Sequence, residues 1–150
     1  MIHIRPATES DLDALLFLLP QITSQPNSPA AQMPDVQTAQ KHFLHMQQTG
    51  QTIFVAESDQ KIVGTCTLVI LPTLMYGGRP FAQLEHVVVA QNQRSQGIGS
   101  QLIQYAIQKA KEANCYKLQL LTGKRDTQIN FYKKQNFDDS KTHGFKTYLI

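Results

Sequence analysis

The residues best suited to chemistry form one run, Val87-Val88-Val89-Ala90-Gln91-Asn92-Gln93-Arg94-Ser95-Gln96-Gly97-Ile98-Gly99-Ser100. A β-branched stretch leads through a polar turn into a helix-periodic segment that opens with two glycines. A helix starting there leaves its first backbone N–H groups without intrahelical partners, at the end where the dipole favours negative charge. Glycine lets an anion come close to the backbone. Arg94 adds a permanent charge whose forked donors match phosphate oxygens. No Asp or Glu occurs between Glu85 and Glu112 to oppose an anion. The chemistry indicated is a pyrophosphate cradle. Two common cradles do not match. A Walker loop needs Lys and Ser/Thr after its last glycine, where Ser100-Gln101 stand, and a dinucleotide fingerprint needs a third glycine, where Leu102 stands. Glycines in an ordinary strand-to-helix turn also serve tight packing, and that reading stays open at this point.

The elements that must position this run follow from periodicity and turn residues. Ile2–Arg5 reads as a strand, and 9–19 as a helix with Leu12, Leu15, Leu16 and Leu19 on one face. Pro20, Pro26, Pro29 and Pro34 make 20–35 a long loop, of the kind that usually carries function. A second helix is predicted over 36–48, with Val36, Phe43 and Met46 buried. Ile53–Glu57 and Ile62–Ile70 form a hairpin about Ser58–Lys61. After a loop at 72–80 comes the strand Phe81–Val89, then a helix from Ile98 to Ala113. A strand over Lys117–Leu121, a helix over 126–135 and a last strand over 144–149 complete a mixed α/β (α+β) plan, read as one domain over 1–150.

The run Arg94-Ser95-Gln96-Gly97-Ile98-Gly99 resembles the signature Gln/Arg-x-x-Gly-x-Gly/Ala of the GCN5-related N-acetyltransferase (GNAT) superfamily. Ile4-Arg5-Pro6-Ala7-Thr8 followed by Asp11 is similar to that family's opening, and Phe131-Tyr132-Lys133-Lys134-Gln135-Asn136-Phe137 to its Phe-Tyr-x-Lys-x-Gly-Phe segment. Asn136 stands where the family has glycine, a replacement compatible with a left-handed helix cap. Arg125 stands seven residues before the tyrosine, where the family usually has Asn. The resemblance implies the GNAT fold, a central mixed and mostly antiparallel sheet of about 6–7 strands flanked by about four helices. It implies acetyl transfer from acetyl-CoA, with no metal, straight to a primary amine. In that family the residues matching Gln93–Ser100, including Arg94, Ser95, Gln96, Gly97, Ile98, Gly99 and Ser100, wrap the pyrophosphate. The strand matching Val87, Val88 and Val89 pairs with the pantetheine arm, and the amide around Val87 or Val88 would polarise the thioester carbonyl.

Such a reaction must take a proton from the amine and return one to the departing thiolate. Deprotonating a lysine-like amine, of pKa ~10.4, is about 4.6 kcal/mol uphill at pH 7. Tyr132, which matches the family tyrosine facing the coenzyme sulfur, is the expected acid. Glu85 is the expected base, since alternation places 85, 87 and 89 on one face. A carboxylate there could instead pair with Arg79 or a loop lysine, and His86, on the opposite face, and His143 are the next candidates. Cys66 and Cys115 lack a neighbouring His signature and read as apolar thiols, against covalent catalysis.

Charge sharpens the division of labour. Residues 1–90 carry 4 basic and 7 acidic side chains, a net −3, while 91–150 carry 10 and 4, a net +6, within a chain of net charge +3. The basic part coincides with the expected coenzyme site, and the acidic part holds the loops expected to meet an amine cation. Nucleic acid is not an expected partner, because no basic helix interleaved with aromatics and no reading motif occurs. No apolar run approaches the ~18 residues of a membrane span, no leader layout opens the chain, and two distant cysteines suit a reducing, cytoplasmic setting. The resemblance implies a small-molecule amine as the acceptor. A homodimer is open by family analogy, and a non-catalytic acyl-CoA sensor is the alternative function.

Overall fold

The hairpin expected about Ser58–Lys61 forms, with Asp59 and Gln60 both at positive φ (48° and 61°). That is the geometry that lets two residues reverse an antiparallel pair without splaying its twist. It joins β2 (Gln51–Ser58) to β3 (Lys61–Leu71) in a computed structural model that describes residues 1–25, 27–147 and 149. The other strands are β1 (His3–Pro6), β4 (Phe81–Val89) and β5 (Leu118–Gln119), and the helices are α1 (Leu12–Leu18), α2 (Val36–Gln48), α3 (Ile98–Glu112) and α4 (Asp126–Lys133). The sheet runs in the order β1-β2-β3-β4-β5, antiparallel throughout except for the parallel pair β4 and β5.

Among the described residues the sheet has five strands where 6–7 were expected. Among the described residues 144–147 and 149 no strand occurs, and Tyr148 and Ile150 lie outside the described residues. Phe145 and Leu149 are more than nine-tenths exposed, so the face of the expected strand that carries them is not covered. Alternation is a local property, whereas a strand exists only where an edge accepts it. Likewise Lys117–Leu121 keeps just the two ladder pairs Ala82↔Leu118 and Gln83↔Gln119. The chain forms two compact units, Met1–Gln119 and Leu120–Ile150.

In the first unit the two faces of the sheet are covered by different helices. Gly64 and Cys66 of β3 look toward α3. A Cβ on Gly64 would stand 3.0 Å from a Leu102 methyl and 3.1 Å from one of Ile98, and Cys66 Sγ lies 3.9 Å from the Leu102 carbonyl. The bare glycine thus lets the start of α3 settle onto the sheet, where Ile98, Leu102, Ile103 and Ala106 are buried; each fully buried Leu or Ile contributes roughly 1.5–3 kcal/mol. The opposite face packs Val55 with Ala7, Leu12, Leu15 and Phe43, that is, with α1 and α2. Phe43 is buried as expected, but Val36 is 45% exposed, because it occupies the first turn of α2, before the apolar stripe meets the sheet.

Candidate active site

The strand that leads to the glycine turn is not regular. Thr67 pairs with Glu85 and Thr65 with Val88, so His86 and Val87 together stand opposite the single residue Cys66. Backbone direction gives the same answer independently. Ala82 donates its N–H to the Lys117 carbonyl on the β5 side, while Ala90, eight residues on, donates to Val63 on the β3 side. A regular strand would aim both the same way, so one extra residue has been inserted, a β-bulge. His86 absorbs it with φ of 50° and is exposed. The expectation that 85, 87 and 89 share a face is therefore corrected: Glu85 shares its face with Val88, toward α1 and α2, while Val89 pairs with Gly64 on the α3 face. Beyond the bulge the Val88 amide belongs to the β3 ladder, and those of Val87 and Val89 turn to the opposite edge, where β5 pairs no further than Gln83.

The turn itself is tightly coiled. A 3₁₀ turn at Gln91–Gln93 is followed by Ser95 at φ 64° and Gly97 at φ 79°, with residues 94–97 all exposed. A Cβ on Gly97 would meet nothing within 4 Å. Gly97 therefore serves conformation and an open approach, not packing. No side chain caps α3, its first turn holds no acid, and its first backbone bond runs from Gln101 N–H to the Gly97 carbonyl at 3.0 Å. The N–H groups of Ile98 and Gly99 lie ahead of that bond, at the end of the helix where the dipole is positive.

Arg94 is more than a loose charge. Its Nε donates to the Val89 carbonyl at 3.1 Å and its Nη2 to the Gln21 carbonyl at 2.9 Å, while Gln91 N–H donates to Gln21 Oε1 at 3.0 Å. The guanidinium clamps the end of β4 to the 3₁₀ turn at Leu19–Ile22. Both acceptors are neutral, so the positive charge remains uncompensated at the mouth of the turn. Gln21 was invisible as a site residue in the sequence, because the contact spans some seventy positions and no local pattern announces it.

Glu85 does not pair with Arg79, which instead donates to the Asn114 and Cys115 carbonyls at 3.2 Å. Its Oε1 accepts from Gln83 Nε2 at 2.8 Å, and Gln83 Oε1 accepts from Gln119 Nε2 at 2.9 Å. The carboxylate is half-buried, held by a neutral donor on the α1 and α2 face. Polar residues at 83 and 85 on one face of an otherwise apolar strand were a readable sign of this pair; the Gln119 contact was not. Burial pushes the Cys66 thiol up to about 12, and Cys115 is raised by burial despite the nearby Arg79. Neither is a ready thiolate.

Tyr132 belongs to the second unit, on α4. That helix ends as Asn136 takes φ 66°, with Asn136 N–H donating to the Lys133 carbonyl at 3.0 Å and Phe137 N–H to the Tyr132 carbonyl at 3.2 Å. This is a Schellman cap, and Asn136 fills its left-handed position in place of glycine. The apolar contact that accompanies such a cap is Phe137 against Tyr132, an edge-to-face pair with ring centroids 5.9 Å apart, and Phe131 packs on the same ring at 5.1 Å. The cap thus holds the tyrosine ring.

The acetyltransferase (GNAT) family model matches residues 18–137, most of the chain, spanning the bulged strand, the glycine turn and Tyr132. The chain belongs to the GNAT acetyltransferase family. It is 27% identical over 136 residues to a glucosamine 6-phosphate N-acetyltransferase of Trypanosoma brucei brucei, covering 91% of this chain and 88% of that one. Among solved structures, a Trypanosoma brucei acetyltransferase superposes with TM-score 0.84 at 26% identity, over 100% of this chain and 99% of that one. An aminoglycoside acetyltransferase from an uncultured soil metagenomic sample superposes with TM-score 0.79 at 27% identity, over 98% and 96%.

GNAT enzymes use acetyl-CoA as co-substrate. The turn of this family member suits its phosphates: an uncapped helix start, an exposed left-handed glycine with open space about it, and an arginine whose charge is not neutralised. Among the described residues no three His, Cys, Asp or Glu side chains converge as a metal site would require, and no helix is long and apolar enough to cross a membrane.

Proposed function

We propose that the chain, as a single domain over 1–150, is an N-acetyltransferase that transfers the acetyl group of acetyl-CoA directly to a primary amine of a small molecule in a ternary complex. The observation that carries this reading is the pairing of an uncompensated anion turn with a bulged strand end that presents backbone donors. In this proposal Arg94, Ser95, Gln96, Gly97, Ile98, Gly99 and Ser100 hold the pyrophosphate, and the edge of Val87, Val88 and Val89 takes the pantetheine arm. The ladder direction favours the Val87 amide over that of Val88 as donor to the acetyl carbonyl. Acetyl-CoA supplies the activated thioester and the thiol leaving group. Glu85 takes the proton of the attacking amine, on the sheet face shared with α1 and α2, and Tyr132 gives one to the sulfur.

The net −3 of residues 1–90 supports an amine cation as acceptor, and the acceptors named for two relatives, glucosamine 6-phosphate and an aminoglycoside, both carry primary amines. Release of coenzyme A thiol, followed over a panel of glucosamine 6-phosphate, an aminoglycoside, a polyamine and free lysine, tests the reading. Turnover on at least one amine, slowed in Tyr132→Phe with little change in acetyl-CoA affinity, is the expected result. Tight acetyl-CoA binding with no turnover on any amine, and a silent Tyr132→Phe, would establish the non-catalytic sensor instead.

A further inference from the structure

The side chains of Gln119, Gln83 and Glu85 form a row along one face of β4 and β5. Gln83 and Gln119 are register partners in the parallel ladder, and Gln83 precedes Glu85 by two residues. The row has only one electrostatically sensible direction. An ionised carboxylate accepts and cannot donate, so it draws the NH2 of Gln83 inward, at 2.8 Å. That leaves Gln83 Oε1 facing outward, where it accepts from the NH2 of Gln119 at 2.9 Å. Turning either amide over would set oxygen against oxygen. Gln83 carries a second consequence: by occupying one carboxylate oxygen, it fixes the rotamer of a flexible side chain and leaves the other oxygen to act.

We infer that Gln83, steadied by Gln119, is a positioning residue that holds the Glu85 carboxylate in the orientation needed to take the amine proton. The inference rests on Glu85 being the base, as proposed above, and adds what aims it. The hydrogen bond to a charged acceptor is of the stronger class, so its loss should cost roughly 10-fold in kcat. Gln119, which acts at one remove and is exposed, should cost less, roughly 3-fold.

The test is a double-mutant cycle in the full chain, with acetyl-CoA and the panel amine of highest turnover, beside a nitrogen-proton spectrum that reads the Gln83 side-chain amide without any acceptor. Gln83→Leu should lower kcat roughly 10-fold while KM for acetyl-CoA stays within about 2-fold, and on a Glu85→Gln background it should cost nothing further. The Gln83 amide proton, shifted downfield by the carboxylate, should move back in Glu85→Gln and move again in Gln119→Leu. If Gln83→Leu does not fold, Gln119→Leu carries both readouts from the surface. Equal loss from Gln83→Leu with and without Glu85 overturns the inference, as does a Gln83 amide insensitive to both substitutions. A normal kcat in Glu85→Gln overturns the base assignment itself, which separates failure of the proposal above from failure of this one.

Discussion

Two arginines of the first unit show how partners decide what a charge is for. Arg5 spends its donors on carboxylates: Nη1 and Nη2 reach Asp11 at 2.7 and 2.9 Å, and Nε and Nη2 reach Glu57 at 3.0 and 2.8 Å. Asp11, buried, takes further hydrogen bonds from the Thr8 N–H and hydroxyl. Arg94 makes two bonds, both to carbonyls, and among the described residues it forms no ion pair. The first site is saturated and ties β1, β2 and the approach to α1 together. The second is clamped in place yet electrostatically unspent. A closed charge network stabilises the fold; an open one leaves its charge without a partner inside the protein.

The largest way to break this contrast is at Arg5. Arg5→Leu strands the buried Asp11 and its neighbour Glu57, and should cost about 3 kcal/mol, lowering the melting temperature by roughly 6–12 °C. KM for acetyl-CoA measured well below the new transition should not change. Acid probes the same network more gently. Arg5 and Thr8 hold the Asp11 carboxyl down to about 2, against an ordinary 3.8. Because the folded state lowers that value, the stabilisation is complete above pH ~4 and is lost as pH falls toward 2, amounting to about 2 kcal/mol. Chemical denaturation between pH 5 and 2 should show this loss in the native protein and not in Arg5→Leu.

At the open site the ordering of effects reverses, with function moving more than stability. Arg94→Ala should raise the apparent constant for acetyl-CoA about 10-fold, equivalent to ~1.4 kcal/mol, and leave the melting temperature nearly unchanged. Arg94→Lys sharpens the point, since it keeps the charge but cannot bridge the Val89 and Gln21 carbonyls as a fork. Retained affinity in Lys would assign the effect to charge, and a loss equal to that of Ala would assign it to the clamp. An amine constant that shifts more than that for acetyl-CoA would contradict the contrast altogether. The smallest effect belongs to Gly97→Ala. The open space around it admits a methyl group, so its destabilisation should be only the ~1 kcal/mol of a left-handed residue, measured by thermal unfolding.

Much of this molecule was legible from periodicity and turn chemistry. The helix over 36–48 and the strand over 81–89 lie where the pattern put them, because each buries a stripe that its own spacing defines. Asn136 was readable as a helix stop, because few residues tolerate φ near 66°. Among the described residues of 144–149 no strand forms, for the complementary reason that alternation says nothing about a pairing partner.

The sequence by itself determined the glycine turn and the helix start that follows it. Gly97, the acid-free stretch after Glu85 and the helix start at Ile98 are local facts, and the N–H groups and dipole of a helix end follow from them wherever the chain lies. Only the tertiary structure decided how the chemistry beside it is aimed. The bulge at His86 reverses the parity of β4, so that Glu85 faces with Val88 and the Val87 amide turns outward. Insertion of one residue between paired strands is a property of the pairing, invisible along a single strand. The same holds for Gln21 on Arg94 and Gln119 on Gln83: hydrogen bonds between residues far apart in sequence exist only once packing has brought their elements together.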